Sequence, residues 1–235
     1  MRLQKKLKIE NLHETNIEDL IYVCSSKRLN DPIHQQGMSL KREWLQEMLR
    51  KYGSCAKIAY YNQKPAAQIL YFPEEADKIR ISRRKTVLVI NCIYNPTPEA
   101  QKLGLGKKLL KSVIEDAKQE KTCLSNKCCK FVLAKAFNTG ELLSLPKFYE
   151  KYGFTPIPEG EENLLYLPIH GSYEPVAPVG EYEPLEEDKG KAIVFYSPVC
   201  QFSYQFAKTI ENTIMEVAPN MKIEIINEWK SQRNR

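Results

Sequence analysis

Apolar positions along this chain recur at two spacings, and the changes between them give an order of elements. Leu7–Leu12 reads as a short strand. Ile17–Leu29 has apolar residues at 17, 20, 21, 24 and 29, a helical spacing with Asn16 placed to cap it. Ser39–Tyr52 carries Leu40, Trp44, Leu45, Met48, Leu49 and Tyr52 on one stripe, which predicts a helix capped by Ser39 and closed by Gly53. Cys55–Tyr61 and Pro65–Phe72 form a strand pair turning at Asn62-Gln63-Lys64. Thr86–Tyr94 is β-rich and apolar enough for a central strand buried on both faces.

Beyond that strand, Leu105–Lys118 places Leu105, Leu109, Leu110, Val113, Ile114 and Ala117 on one side and lysines on the other. Lys130–Ala136 is a further strand, Leu145–Tyr152 a short helix entered through Pro146, and Phe154 onward with Leu164–Pro168 the closing strands. This mixed order predicts an α/β (α+β) domain with an interior parallel strand pair and helices on both faces. From Pro156 to Pro184 the chain has six prolines and little periodicity, an arm or linker. Lys191–Ser197, Phe202–Val217 and Lys222–Asn227 then make one small βαβ unit, which cannot bury much alone and is expected to dock on the main domain or on a partner. The expected division is 1–170, a linker over 171–188, and 189–235.

Composition narrows the class. At 43% hydrophobic and 27% charged residues the chain is globular rather than disordered or fibrous. No apolar run reaches the ~18–20 residues of a spanning helix, and the N-terminus lacks a signal-peptide pattern, so a cytoplasmic protein without membrane contact is expected. The seven cysteines are scattered and lack a CxxC pair, so neither a disulfide framework nor a metal is expected; Cys123, Cys128 and Cys129 cluster, but every histidine lies far from them in sequence. Charge is uneven. Residues 1–158 hold 28 Lys/Arg against 16 Asp/Glu, a net of +12, whereas 159–188 hold nine acidic residues and no Lys or Arg. A basic first part suits an anionic ligand. Nucleic acid is not favoured, because the lysines are spread over several helices without a recognition-helix pattern.

The segment Asn95–Leu110, NPTPEAQKLGLGKKLL, narrows the anion. A buried strand ends, a polar loop follows, and Gln101-x-x-Gly104-x-Gly106 opens an amphipathic helix. Glycines allow close backbone approach, and the first-turn amides of a helix have no intrahelical partner, so this is a place for a pyrophosphate. Lys102, Lys107 and Lys108 add positive charge. The third glycine of a dinucleotide fingerprint and the GKS/GKT of a P-loop are absent.

With Gln101, Gly104 and Gly106, and with Phe148-Tyr149-Glu150-Lys151-Tyr152-Gly153-Phe154 downstream, residues 6–170 resemble the GNAT family of acetyl-CoA-dependent N-acyltransferases. The resemblance implies a mostly antiparallel sheet with a splayed parallel pair. It implies acetyl-CoA or CoA as co-substrate, with the backbone of Ile93, Tyr94 and Asn95 along the pantetheine arm. Amides of Gln101, Lys102, Leu103, Gly104, Leu105, Gly106 and Lys107 would surround the pyrophosphate, and Asn138 would stand across the cleft. Tyr149 would protonate the leaving thiolate, although a tyrosine between Phe148 and Tyr152 also reads as core. Lys102 stands where the family often has glycine, and Asn91 where some members carry a glutamate base. The acceptor is an amine of a small molecule or a peptide; the sequence leaves a homodimer open.

Residues 184–229 resemble the YoaP-like domain, half of a thioredoxin-like fold. Cys200 sits where the redox turn would be, with Ser203 in place of the second cysteine, and a cysteine at a helix N-terminus is expected to be reactive. The competing reading is a non-catalytic acyl-CoA-binding, redox or partner-docking module that uses Cys200.

Overall fold

The computed structural model describes residues 7–77, 84–125, 127–137, 144–158, 163–176 and 185–231. Nine strands and five α-helices are present among them, in the order β1 (Leu7–Asn11), α1 (Ile17–Ser25), α2 (Pro32–Tyr52), β2 (Ala56–Tyr61), β3 (Lys64–Pro73), β4 (Val87–Tyr94), α3 (Leu105–Lys118), β5 (Phe131–Lys135), α4 (Leu145–Glu150), β6 (Thr155–Pro156), β7 (Leu164–Pro168), β8 (Lys191–Tyr196), α5 (Gln201–Val217) and β9 (Lys222–Asn227). The first seven strands form one sheet in the order β1-β2-β3-β4-β5-β7-β6. All its pairings are antiparallel except β4 with β5. The last two strands form a separate parallel pair around α5. No described helix is long and apolar enough to cross a membrane.

Two-residue alternation sends the central strands' side chains to two cores. Ile69, Tyr71, Leu88, Ile90, Val132 and Ala134 face α3 and α4. Leu70, Phe72, Val87, Val89, Phe131 and Leu133 face α1 and α2. Helices therefore cover both faces, as the apolar density of β4 requires. The β2–β3 turn is set by Asn62 and Gln63, both left-handed, which gives the twist a two-residue hairpin needs.

Two helix boundaries and one cap differ most from the sequence expectation, the other bounds shifting by one or two residues. α2 begins at Pro32, not Ser39: Asp31 accepts the amides of Ile33 and His34 at 3.0 and 3.1 Å, and proline occupies the first helical turn. α1 ends at Ser25, and the chain turns through Arg28 N–H to the Ser25 carbonyl at 2.7 Å. Asn16 does not cap α1 through its side chain, which instead accepts the His13 amide and donates to the Asn11 carbonyl.

The C-terminal βαβ unit docks on α2. Gly37 lies against the Gln201 carbonyl, where an added Cβ would sit 2.1 Å away, so only glycine admits the start of α5 here. Gln201 reaches through the contact to donate to Ser25 Oγ and to the Ile21 carbonyl. Trp229 stacks edge-on against Trp44 and Phe72, both at 5.3 Å. Val199 and Trp229 thus belong to the same core as α1 and α2. The start of the acidic arm is also held: Tyr173 packs on Phe131 and Tyr166, and Glu174 pairs with Lys130.

Candidate functional site at the open end of the parallel pair

β4 and β5 pair only from Val87↔Phe131 to Ile90↔Ala134 among the described residues, although β4 continues to Tyr94 alongside β3. The reason is local. Leu70 faces Cys92 and Tyr71 faces Ile90, so Asn91 is the extra residue of a bulge. The bulge bends β4 where its pairing with β5 stops, and among the described residues Asn91–Ile93 have no strand partner on the β5 side. Backbone donors and acceptors on such an edge require partners.

The loop after β4 is folded by its own side chains. Asn95 donates to the Ala100 carbonyl at 3.1 Å and accepts the Thr97 amide at 3.3 Å; Thr97 Oγ1 donates to the Ala66 carbonyl at 3.0 Å. Pro98–Ala100 makes a 3-10 turn with Ala100 buried beneath it. Gln101 and Lys102 are exposed, and Lys102 is left-handed at φ 59°. That conformation is the physical reason a glycine suits this position. Gly104 caps α3 in the left-handed region at φ 74°, with no atom within 4 Å of where a Cβ would stand. Leu103 and Leu105 anchor the loop in the core, while Lys107 is exposed. The first intrahelical bond runs from Lys108 N to the Gly104 carbonyl, so the amides of Leu105, Gly106 and Lys107 precede the helical ladder. A Cβ on Gly106 would lie 3.6 Å from Phe148 and 3.7 Å from Ile93, ordinary contacts that tie α3 to α4 and to β4 beyond its bulge.

Tyr149 sits on α4 with its ring 5.5 Å from Phe148 and 5.2 Å from Phe154. Its hydroxyl is fully buried and has no hydrogen-bond partner among the described residues. Burial pushes its pKa far above the ordinary phenol value, and the nearby Cys92 adds to the shift, so the group stays protonated. A buried hydroxyl without a partner is costly to the fold. Asn138 lies outside the described residues.

A cavity of about 560 Å3 opens beside this edge. Tyr94, Asn95 and Gln101 form one wall; Cys24, Lys27 and Arg28 from the end of α1, with Phe202 and Phe206 from α5, form another. The C-terminal unit therefore reaches the site. Phe202 and Phe206 had no local signal in the sequence, because only the docking of α5 on α2 brings them there. Cys24, Cys92 and Cys200 lie close enough for their charges to act on one another, with the buried Lys41 beside them. Burial raises the Cys24 thiol and pushes Cys92 up to about 12, so both remain neutral thiols. Cys200 itself is exposed at the N-cap of α5. The Ser203 hydroxyl accepts the Ser197 amide at 2.9 Å, giving the residue at the second-cysteine position a turn-forming role.

Away from the cleft, the fold brings His170 and Glu120 to Cys128, all three exposed, with one ligand atom from each within 4.8 Å of the others. The separation in sequence that argued against a histidine near these cysteines is thus closed by tertiary structure. Cys123 and Cys129 are buried in the core instead.

No protein-family model matches the chain, and no curated protein matches it in sequence. Among solved structures it is similar to a GNAT family acetyltransferase from Brucella melitensis in complex with acetyl-CoA (11% identity, TM-score 0.48, covering 73% of this chain and 93% of that one). It is likewise similar to the PaiA N-acetyltransferase of Thermoplasma acidophilum in complex with coenzyme A (14%, 0.47, 68% and 97%). Ard1 from Thermoplasma volcanium gives 11% and 0.46, with 69% and 97% covered. With every one of these TM-scores below 0.5, the chemistry of the site is read from the chain's own residues.

Proposed function

We propose that the protein is an acetyl-CoA-dependent N-acyltransferase whose cofactor site lies in residues 1–170. The observation that carries this reading is the β4 segment Asn91–Ile93, which pairs with no strand on its β5 side among the described residues, next to the first-turn amides of α3, which precede the helical ladder. An extended amide-bearing arm running into a pyrophosphate satisfies both sets of groups at once. Such a cofactor supplies a thioester whose acyl carbon a neutral amine can attack.

The remaining roles follow from the residues. The backbone of Ile93, Tyr94 and Asn95 holds the arm in register as an added strand. The amides from Lys102 to Lys107, with the Lys102 and Lys107 side chains alongside, hold the pyrophosphate; the Gln101 amide is already given to the Pro98 carbonyl at 3.2 Å, so that residue contributes through its side chain. Gly104 keeps the approach clear. Asn138, on the chain after β5, is assigned the far side of the cleft by the sequence resemblance. Tyr149 donates to the sulfur as the C–S bond breaks. Because burial holds its pKa above that of a thiol, complete transfer of its proton is uphill; the hydroxyl stabilises the thiolate by hydrogen bonding. The described cavity wall offers no carboxylate or histidine, so the amine arrives unprotonated rather than losing its proton to a fixed base there.

Thiol release from acetyl-CoA in the presence of a panel of amines tests the reading. Amine-dependent release that falls by about 10- to 100-fold in Tyr149→Phe is expected. CoA binding without release by any amine favours the non-catalytic module that uses Cys200; release unchanged in that variant removes the role given to Tyr149.

A further inference from the structure

The cavity beside the cofactor edge has a second wall that the acyltransferase reading does not use. Lys27 and Arg28 bring two cations to it, and among the described residues no aspartate or glutamate lines it. Phe202 and Phe206 from α5 supply apolar surface. Arg28 is held in place: its guanidinium lies 5.8 Å over the Phe202 ring, and Nη1 donates to Gln205 Oε1 at 3.0 Å. A guanidinium has five N–H donors in a planar fork, so donors remain for a ligand. At about 560 Å3 the space is within the range of small-molecule sites.

The wall is built rather than incidental. Phe202 stacks on the buried His34 at 4.9 Å, and the preceding Gln201 is buried with its amide on Ser25 and Ile21. Gly37 supplies the room for this junction. The turn Ser26–Asn30 is exposed, but its end is fixed by Asp31, which caps α2 and accepts from Gln205 at 3.4 Å.

We propose that the C-terminal unit completes the acceptor site, and that the acceptor is an amine carrying a carboxylate, with Arg28 and Lys27 on the carboxylate and Phe202 and Phe206 on its apolar part. This rests on the acyltransferase reading. Placing the carboxylate on the basic wall leaves the amine facing the β4 wall of the cavity, along which the cofactor arm would run. Transfer forms the amide C–N bond, breaks the C–S bond, and moves the amine's surplus proton to solvent or thiolate.

The test compares acceptors that differ only in the carboxylate: phenylalanine, leucine and methionine against their amides, by thiol release from acetyl-CoA. CoA affinity is measured by calorimetry on the same proteins. The acids are expected to exceed the amides in kcat/KM by about 10- to 100-fold, as charge-assisted hydrogen bonds confer. Arg28→Ala should abolish that preference, Arg28→Lys retain part of it, and Arg28→Glu reverse it, all with CoA affinity unchanged. Phe206→Ala should raise KM for both classes equally. Equal use of acids and amides overturns the proposal, as does transfer to neither while CoA binds. So does a loss of CoA affinity in Arg28→Ala, which would give the cations to the cofactor. Failure of the intact protein to bind CoA removes the acyltransferase reading itself, and is seen separately in the titration.

Discussion

The two ends of the β4–β5 pair are built from the same strands and differ in what their polar groups face. At the N-terminal end everything is matched. Arg84 donates twice to the buried Glu74, at 2.6 Å from both Nε and Nη2, and its guanidinium lies 5.0 Å over Phe131 and 5.6 Å over Tyr173. Lys130 N–H closes the ladder onto the Thr86 carbonyl. At the C-terminal end β4 parts from β5 at the Asn91 bulge, Lys102 and Gly104 take left-handed conformations, and the Tyr149 hydroxyl is buried with no hydrogen-bond partner among the described residues. One end stabilises the sheet; the other is where the proposed cofactor would bind. Changes at the first end should therefore alter stability alone, and changes at the second should alter binding and turnover with little loss of stability.

The largest effect is expected at the matched end. Arg84→Ala removes the bidentate partner of a buried carboxylate and should lower unfolding free energy by about 3–5 kcal/mol in denaturant titration. CoA affinity of the folded fraction should be unchanged; a tenfold loss would mean that the ends are not independent. At the open end, Tyr149→Phe should cost about 1.4–2.7 kcal/mol in the transfer barrier, read as kcat. The same change should leave stability equal or raise it by up to about 1 kcal/mol, because it deletes a buried hydroxyl that has no partner. Clear destabilisation would show that the hydroxyl serves the fold.

Stability should also fall with alkaline pH. Burial pushes the Cys55, Cys92 and Cys129 thiols up to about 12, and raises Tyr71 and Tyr149 as well. These folded-state values exceed the unfolded ones, so the native state binds protons more tightly. The stabilisation is whole below the unfolded thiol value of about 8.5 and is lost as pH rises toward 12. Thermal unfolding between pH 8 and 11 checks the sign, and a flat profile would contradict it. The smallest effect is at Lys102. Replacing it with glycine relieves a left-handed lysine but loosens the unfolded chain, a net gain of about 0.5 kcal/mol. CoA affinity should move less than about threefold, since the lysine supplies one exposed charge.

How much of this was legible depended on how local the cause was. The Gln101–Gly106 loop and α3 were readable because glycine placement, strand end and helical stripe all act within a few residues. The start of α2 was local too: Asp31-Pro32 is a helix-start signal, although the apolar stripe begins only at Leu40. Gly37 itself has no local explanation, since its reason is the Gln201 carbonyl from the far end of the chain. The cavity's second wall is of that kind. Gln201 and Ser25, which fix it, are 176 residues apart, and nothing near Phe202 announces a ligand. The bulge at Asn91 was equally hidden, because a run such as Val-Ile-Asn-Cys-Ile-Tyr does not say which residue is left unpaired.

The central claim is that the open end binds CoA through its backbone, and calorimetric titration tests it most directly. Three proteins suffice: the intact chain, Gly104→Glu at the open end, and Arg84→Lys at the matched end. The account predicts micromolar CoA binding by the intact chain and by Arg84→Lys. It predicts at least a 100-fold loss in Gly104→Glu, with only about 1 kcal/mol lost in stability from the left-handed backbone. No binding by the intact chain, or equal binding by Gly104→Glu, would contradict it.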